Sequence, residues 1–351
     1  MMAKLYSLNA AKTPSKQPPS DVAIAITSWL KRKAANTSRV YRGIASDWSV
    51  YLGAGLEDPK AGKLWKTANH TDAQRYLHEV SRRPAQSGRP SARHKTVSTA
   101  TVRHKATILM AIYDELMAQG LCERNPFVRV RGEYERAKSG ERRPHERVES
   151  DAVKRLLTAP DLGSLAGLGP EFRRAIKEAI RNYALLCLLF GCALRRSEAI
   201  KLTVGDVCTT SSGTVYMTLR NTKSGHEVEE HTVADWIASA LRELVKVRRE
   251  EGAKDEAPLI VCYYGSGIPD HDPMSESTVY RLFKSLCKAA GLPESITPHC
   301  ARVTAITRML DQGISHRDVK EFSRHSSVTM VERYDRKRKS IEESVAKKIE
   351  Y

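Results

Sequence analysis

Residues 183–194 read YALLCLLFGCAL, and the two residues that follow are both arginine. A helix that is apolar all round must be covered on every side, so this one has to lie at the centre of a domain. The surrounding chain must then supply elements with one apolar face. Arg195, Arg196 and Glu198 come directly off its end, which delivers charge to the margin of a core. An unpaired guanidinium is costly there, so Arg195 either pairs with Glu198 three residues on or binds an anion.

Upstream the pattern is helical. After a polar tail over residues 1–20, Ile24, Ile26, Trp29 and Leu30, then Val40, Ile44, Trp48 and Tyr51, fall at mainly three- and four-residue spacing, with Gly53 or Gly55 placed to end the second helix. Residues 81–100 are too rich in Ser, Pro and Arg to be core. Thr99 is placed to cap the next helix, TVRHKATILMAIYDELMAQG, whose stripe is Ile108, Leu109, Ile112, Tyr113 and Leu116. Its first turns carry Arg103, His104 and Lys105, a basic start that suits a contact to a polyanion or, nearly as well, a scaffold helix with a phosphate-facing end. Residues 128–147 hold seven Arg or Lys and four Glu and read as an exposed connector, with Arg142 and Arg143 as further anion contacts.

Beyond the connector, Ser150 is placed to cap a new helix, and TVYMTLRNTKSGHEVEEHTV reads as two short strands turning at Lys223-Ser224-Gly225. Thr232 to Lys246, Ser277 to Ala290 and Thr304 to Leu310 read as helices, and so does the final segment, with Ile341, Val345 and Ile349 on one narrow stripe. The expected fold is mainly α: an all-helical domain over 21–130, a linker over 131–147, and a mixed α/β, mostly helical domain over 148–351 that ends in a helix at 340–351.

Charge restricts the partner. The chain has 351 residues and a formal net charge of +17; residues 1–130 carry 21 basic against 9 acidic side chains. The front domain therefore has the stronger electrostatic reason to meet a polyanion, either nucleic acid or an anionic membrane surface. No run approaches the roughly 18 apolar residues of a spanning helix and no signal-peptide core follows Lys4 and Lys12, so a cytoplasmic protein is expected, nucleoid-associated where the polyanion is DNA. The seven cysteines form no Cys-x-x-Cys pair and read as small buried side chains rather than disulfides or a zinc site.

Three further polar islands interrupt the back domain. Lys223 sits in a turn, where it is either solvated or carried by its flexible stem into a cleft. His299 and Arg302 fall three apart on one helical face, behind Pro298, and form either a structural pair or an imidazole beside a phosphate clamp. His325 and Tyr334 lie nine residues apart with a short helical segment between them, and a lone tyrosine there could simply pack. Taken together with Arg195, these groups can hold a phosphodiester and attack it.

In this order, Arg195 in ALRRSEAIKL, Lys223 in NTKSGHEV, His299 and Arg302 in HCAR, His325 in SRHSS and Tyr334 in VERYDR, the set resembles the tyrosine recombinase (phage integrase) family. The resemblance spans 148–351 and extends weakly to 21–130, where ERNPF resembles the end of the family's helical core-binding domain. It departs from the common pattern at Val303, where the chain is closer to the Cre branch, and at Arg324, where a glycine is common. It implies a site-specific recombinase that grips double-stranded DNA between its two domains. Tyr334 would be the nucleophile that forms a 3′-phosphotyrosyl bond, and Arg195 and Arg302 would clamp the phosphate. Lys223 would be the general acid, His299 would assist proton transfer, His325 would hydrogen-bond the phosphate, and Glu198 would orient the Arg195 and His299 region. Because an ordinary phenol ionises near ~10, such a nucleophile needs help with its proton. The chemistry so implied asks for no metal and no other cofactor. It also implies a tetramer on two DNA sites, with the 340–351 helix docked in cis or in trans. A type IB-like topoisomerase, or a catalytically silent architectural DNA-binding protein, stays open as an alternative.

Overall fold

The computed structural model describes residues 18–84, 96–128, 130, 147–165, 167, 169–220 and 228–335. The chain divides into two compact units, residues 1–142 and 143–351. The first is all α. It comprises α1 (Asp21–Lys31), α2 (Ala35–Leu52), α3 (Ala61–Thr67), α4 (His70–Arg82) and α5 (Thr99–Ala118). Of these, α3 and α4 were not read from the sequence as separate elements. Their apolar positions are few, but Trp65, Tyr76, Leu77 and Val80 are all fully buried. Ser98, not Thr99, caps α5: its hydroxyl accepts from the Thr101 N–H, and Thr99 is the first helical residue. Gly53 ends α2 with φ 111°, a conformation that glycine adopts without strain.

Aromatic side chains hold this unit together. Trp48 Nε1 donates to the Tyr113 hydroxyl (3.1 Å), which donates in turn to the Trp65 carbonyl (3.1 Å). Phe127 packs edge-on to Trp48. Asn125 fixes the approach to Phe127 by donating to the Met110 carbonyl (2.9 Å) and accepting the Phe127 N–H (3.0 Å), which gives ERNPF a structural job. On the other side of the core, Asp47 accepts from Tyr76 (2.8 Å), Arg83 (2.6 Å) and Lys105 (2.7 Å). Burial alone would raise its pKa, but these donors hold it below the usual carboxylate value.

The second unit is built round α8 (Arg173–Phe190), after α6 (Ser150–Thr158), the short α7 (Leu162–Leu165) and a 3₁₀ turn at Pro170–Phe172. Residues Ala184 to Phe190 are buried on every side, as their composition requires. The helix stops at Phe190 rather than running to residue 194. Gly191 follows in right-handed backbone, packed so closely that a Cβ there would lie 2.3 Å from Ile237 Cδ1. Ala193 then turns the chain with φ 48°, and the short α9 (Arg196–Ala199) begins behind Arg195. Ser150 is the first residue of α6 and Glu149 occupies the cap position, without a side-chain bond.

Three antiparallel strands follow, β1 (Val207–Thr209), β2 (Val215–Arg220) and β3 (Val228–Thr232), in the order β1-β2-β3 with Met217 opposite both Val207 and His231. Beyond them lie α10 (Asp235–Glu250), a two-stranded ribbon of β4 (Val261–Tyr264) and β5 (Ile268–Pro273), α11 (Glu276–Ala289), α12 (Pro298–Asp311), α13 (His316–Ser323) and α14 (Val328–Glu332). α12 starts at Pro298, where the sequence places a helix start, and runs unbroken through the helical stretch of Thr304 to Leu310, so His299 and Arg302 are in its first two turns. All of Cys300 to Thr307 is buried. The incoming chain is tied to this helix by the Val148 N–H on Thr304 Oγ1 (2.9 Å) and by Arg147 on Asp311 (2.6 Å). The seven cysteines are free, and five of them are buried.

Candidate active site

Five separate segments bring their polar groups together at the end of α8. Arg195 is the residue before α9, and its backbone N–H is accepted by Glu198 Oε2 (2.8 Å) while Nη1 donates to Glu198 Oε1 (2.5 Å). The local pairing expected at i,i+3 is therefore present. It leaves the outer part of the guanidinium available, and Nη2 donates to the Arg324 carbonyl (3.2 Å). Arg302 rises from α12 behind it, with 2% of its surface exposed. Its two terminal nitrogens donate to the carbonyls of Ala193 and Ser323, and Nη1 lies 3.9 Å from Glu198 Oε2. Burial, followed by the positive charges of Arg195 and Arg324, pulls the Arg302 pKa down to about 9, so the group is still a cation at neutral pH.

His325 lies just past the end of α13, with its ring between Ser323 and Arg302. Ser323 Oγ donates to the Val319 carbonyl (2.5 Å) and so accepts from His325 Nδ1 (2.6 Å). That arrangement assigns the proton to Nδ1 and turns an unprotonated Nε2 toward Arg302 Nη2 (3.5 Å). Burial first, then the three neighbouring guanidiniums, draw the His325 pKa down to about 4, and the imidazole is neutral at neutral pH. Tyr334 follows α14, half-buried against a small cluster that includes Ala193, Ile306 and Val331. Its ring centroid is 5.7 Å from that of His325. Its position after α14 is fixed by its own N–H on the Val331 carbonyl (2.8 Å).

His299, one turn before Arg302, is exposed on the rim of a cleft of about 440 Å³ that Arg195 and Arg302 also line, together with Arg196, Glu276 and Tyr280. Arg196 points away from Glu198 and pairs with Glu276 (2.6 Å), which favours Arg195 as the site arginine. Glu198 is held below the ordinary carboxylate pKa even though burial alone would raise it, because Arg324 and Arg195 surround it. Three guanidiniums thus face one carboxylate, and the cluster carries an excess of positive charge at a cleft of phosphate-ester size.

Two members of the cluster have no counterpart in the sequence reading. Ser323 and His231 are both buried. His231 is the one β3 residue that is buried, and it points toward the site; a lone histidine at an inward position of an otherwise polar strand is the signal that could have found it. Lys223, Arg142, Arg143 and the helix 340–351 lie outside the described residues. Of the front-unit residues, Lys105 is held by Asp47, whereas His104 is exposed and Arg103 half-buried near the start of α5.

A helical unit followed by a mixed α/β unit with these basic groups gathered at one cleft is the fold of the tyrosine recombinases. The model of the phage integrase family matches residues 146–340, more than half of the chain, and the chain belongs to that family. Among curated proteins it is 23% identical over 303 residues to the tyrosine recombinase XerD of Oceanobacillus iheyensis, covering 85% of this chain and 86% of that protein. Over 305 residues it is 22% identical to the tyrosine recombinase XerC of Listeria welshimeri, covering 86% and 87%. Among solved structures, the Tn1549 transposon integrase in complex with transposon right end DNA superposes with a TM-score of 0.62 at 18% identity, covering 93% of this chain and 98% of that one. No helix among the described residues is long and apolar enough to cross a membrane.

Proposed function

We propose that this chain is a site-specific recombinase that cuts and rejoins double-stranded DNA through a 3′-phosphotyrosyl intermediate. The observation that carries the reading is the convergence of Arg195, Arg302 and His325 from three segments distant in sequence, with the Tyr334 ring beside His325. In the proposed step the Tyr334 oxygen attacks phosphorus, a P–O bond to tyrosine forms, and the P–O5′ bond breaks. Lys223 gives the departing 5′-oxygen its proton, and His299 assists the proton of the phenol. Arg195 and Arg302 stabilise the charge that builds on the non-bridging oxygens; losing one such preorganised donor costs on the order of 3 kcal/mol of transition-state stabilisation. The neutral His325 would serve the phosphate by donating from Nε2 in its other tautomer: Nδ1 releases its proton to solvent, Nε2 takes one up from solvent, and the Ser323 hydroxyl turns from the Val319 carbonyl to donate to Nδ1. The new linkage keeps the energy of a phosphodiester, so a different 5′-hydroxyl can reverse the step and complete exchange.

Arg103 and His104 in the front unit, and Arg142 and Arg143 in the connector, are proposed contacts to DNA, with Lys105 bracing the helix from behind. Pairing two duplexes and cutting four strands calls for a tetramer. The test is to incubate the wild type and Tyr334→Phe with supercoiled plasmid carrying the DNA that flanks the gene. Strand exchange and a covalent protein–DNA adduct in the wild type alone are expected. Relaxation that needs no particular site would instead make the chain a topoisomerase, and binding without adduct would make it an architectural protein.

A further inference from the structure

Arg324 is the residue that departs from the family's common glycine, and its backbone explains why glycine suits the position. It has φ 56° and ψ 48°, the left-handed conformation that ends α13. A side chain in this conformation costs roughly 1 kcal/mol relative to glycine. The left-handed turn also aims the side chain inward. Its side chain is 0% exposed, so the guanidinium cannot touch DNA.

The buried guanidinium makes four contacts. Nη1 donates to the Phe322 carbonyl (2.8 Å) and to His231 Nδ1 (3.2 Å), while Nη2 reaches the Ala193 carbonyl (3.3 Å) and Glu198 Oε2 (3.2 Å). Two of these anchors also hold the phosphate-facing arginines. The Ala193 carbonyl receives Arg302, and Glu198 Oε2 receives the Arg195 backbone N–H. His231 can accept only as a neutral imidazole, and burial together with the Arg324 charge pulls its pKa to about 3.

We infer that Arg324 is a positioning residue for strand cleavage: it takes up the charge of Glu198 from behind, so that Arg195 and Arg302 keep theirs for the scissile phosphate. Without it, Glu198 has only those two cations to face, one already bonded and the other 3.9 Å away. The carboxylate would then pull both back from the cleft and lower its positive potential. The inference rests on the recombinase reading above and adds to it a residue that never meets the substrate.

The experiment uses the full chain and nicked duplexes tiling the DNA that flanks its gene, with covalent adduct read on denaturing gels. Wild type, Arg324→Gly, Arg324→Asn and Arg324→Lys are compared under single turnover, on the normal diester and on a neutral methylphosphonate at the linkage that wild type cleaves. Asparagine tolerates the left-handed backbone and stands in for glycine if that variant does not fold. The uncharged variants are expected to cleave the diester about 10- to 100-fold more slowly, the same order as the loss when the partner that orients a metal ligand is removed. Their half-saturating DNA concentration should not change, and lysine should recover part of the rate. On the methylphosphonate, which carries no charge to neutralise, the deficit should shrink. Cleavage of the diester within about twofold of wild type by an uncharged variant overturns the inference while leaving the recombinase reading intact, and so does an equal loss on both linkages. No adduct from wild type on any duplex overturns both.

Discussion

Acidification from pH 7 to pH 5 should destabilise the second unit by an amount that two histidines set. His231 and His325 are buried, and burial with nearby guanidiniums lowers their folded pKa values to about 3 and about 4. Unfolding returns each to about 6.5. A lowered pKa means that the unfolded chain binds more protons, so the stability from each neutral imidazole is fully present above pH 6.5 and is lost as pH falls toward the folded value. Because pH 5 already lies above both folded values, the loss between pH 7 and pH 5 depends almost entirely on the unfolded pKa. It is about 2 kcal/mol per histidine, or about 4 kcal/mol for the pair. The carboxylates held below their ordinary pKa, Glu198 and Asp47, add to acid sensitivity only at lower pH. Urea unfolding followed by far-UV circular dichroism at half-unit pH steps should give an uptake of about two protons per chain near pH 5.5. His231→Gln, whose amide oxygen can still accept from Arg324, should reduce that to about one. Tryptophan fluorescence, dominated by Trp29, Trp48 and Trp65 of the first unit, should report a transition that shifts far less over the same range. An uptake below one proton in the wild type, or one that His231→Gln leaves unchanged, refutes the assignment of two neutral buried imidazoles.

If such a protein neutralises about eight phosphates, its affinity for a duplex should fall roughly 10³- to 10⁵-fold between 50 and 200 mM salt in a filter-binding titration. Asp47→Ala leaves Arg83 and Lys105 without their shared carboxylate and should destabilise the first unit by about 2 kcal/mol, read as a shift in its urea midpoint. Deleting residues 340–351 should weaken assembly on paired sites more than binding to one site, as judged by native gel mobility; equal losses in both would argue that the segment docks on its own protomer.

What could be read from the sequence, and what could not, divides along a physical line. The apolar helix read at 183–194, which ends at Phe190, follows from composition, and the pairing of Arg195 with Glu198 and the shared face of His299 and Arg302 follow from the 3.6-residue period and from side-chain chemistry, which act within a few residues. Even there the reading stopped short: spacing put His299 and Arg302 on one face but could not tell that the first is exposed at a cleft and the second buried behind it. β5 escapes the sequence because IPDHDP, with two prolines and two aspartates, carries little strand propensity and is held by its pairing with β4; VCYY of β4 does favour a strand, but its four residues offer no partner to a local reading. The turns that assemble the site were hidden for a related reason. Ala193 and Arg324 both adopt left-handed backbone, at φ 48° and 56°, where the usual signal is glycine or asparagine. Neither residue type announces such a turn, because the tertiary bonds to the Ala193 carbonyl and to the Arg324 guanidinium stabilise what local preference opposes. Local disfavour compensated by long-range contacts is how a chain holds groups in an arrangement it would not otherwise adopt. Of the three non-glycine residues with positive φ among the described residues, Asp161 lies outside the arginine cluster and these two lie within it, where a small error in the position of Arg195 or Arg302 would be most costly to binding an anion.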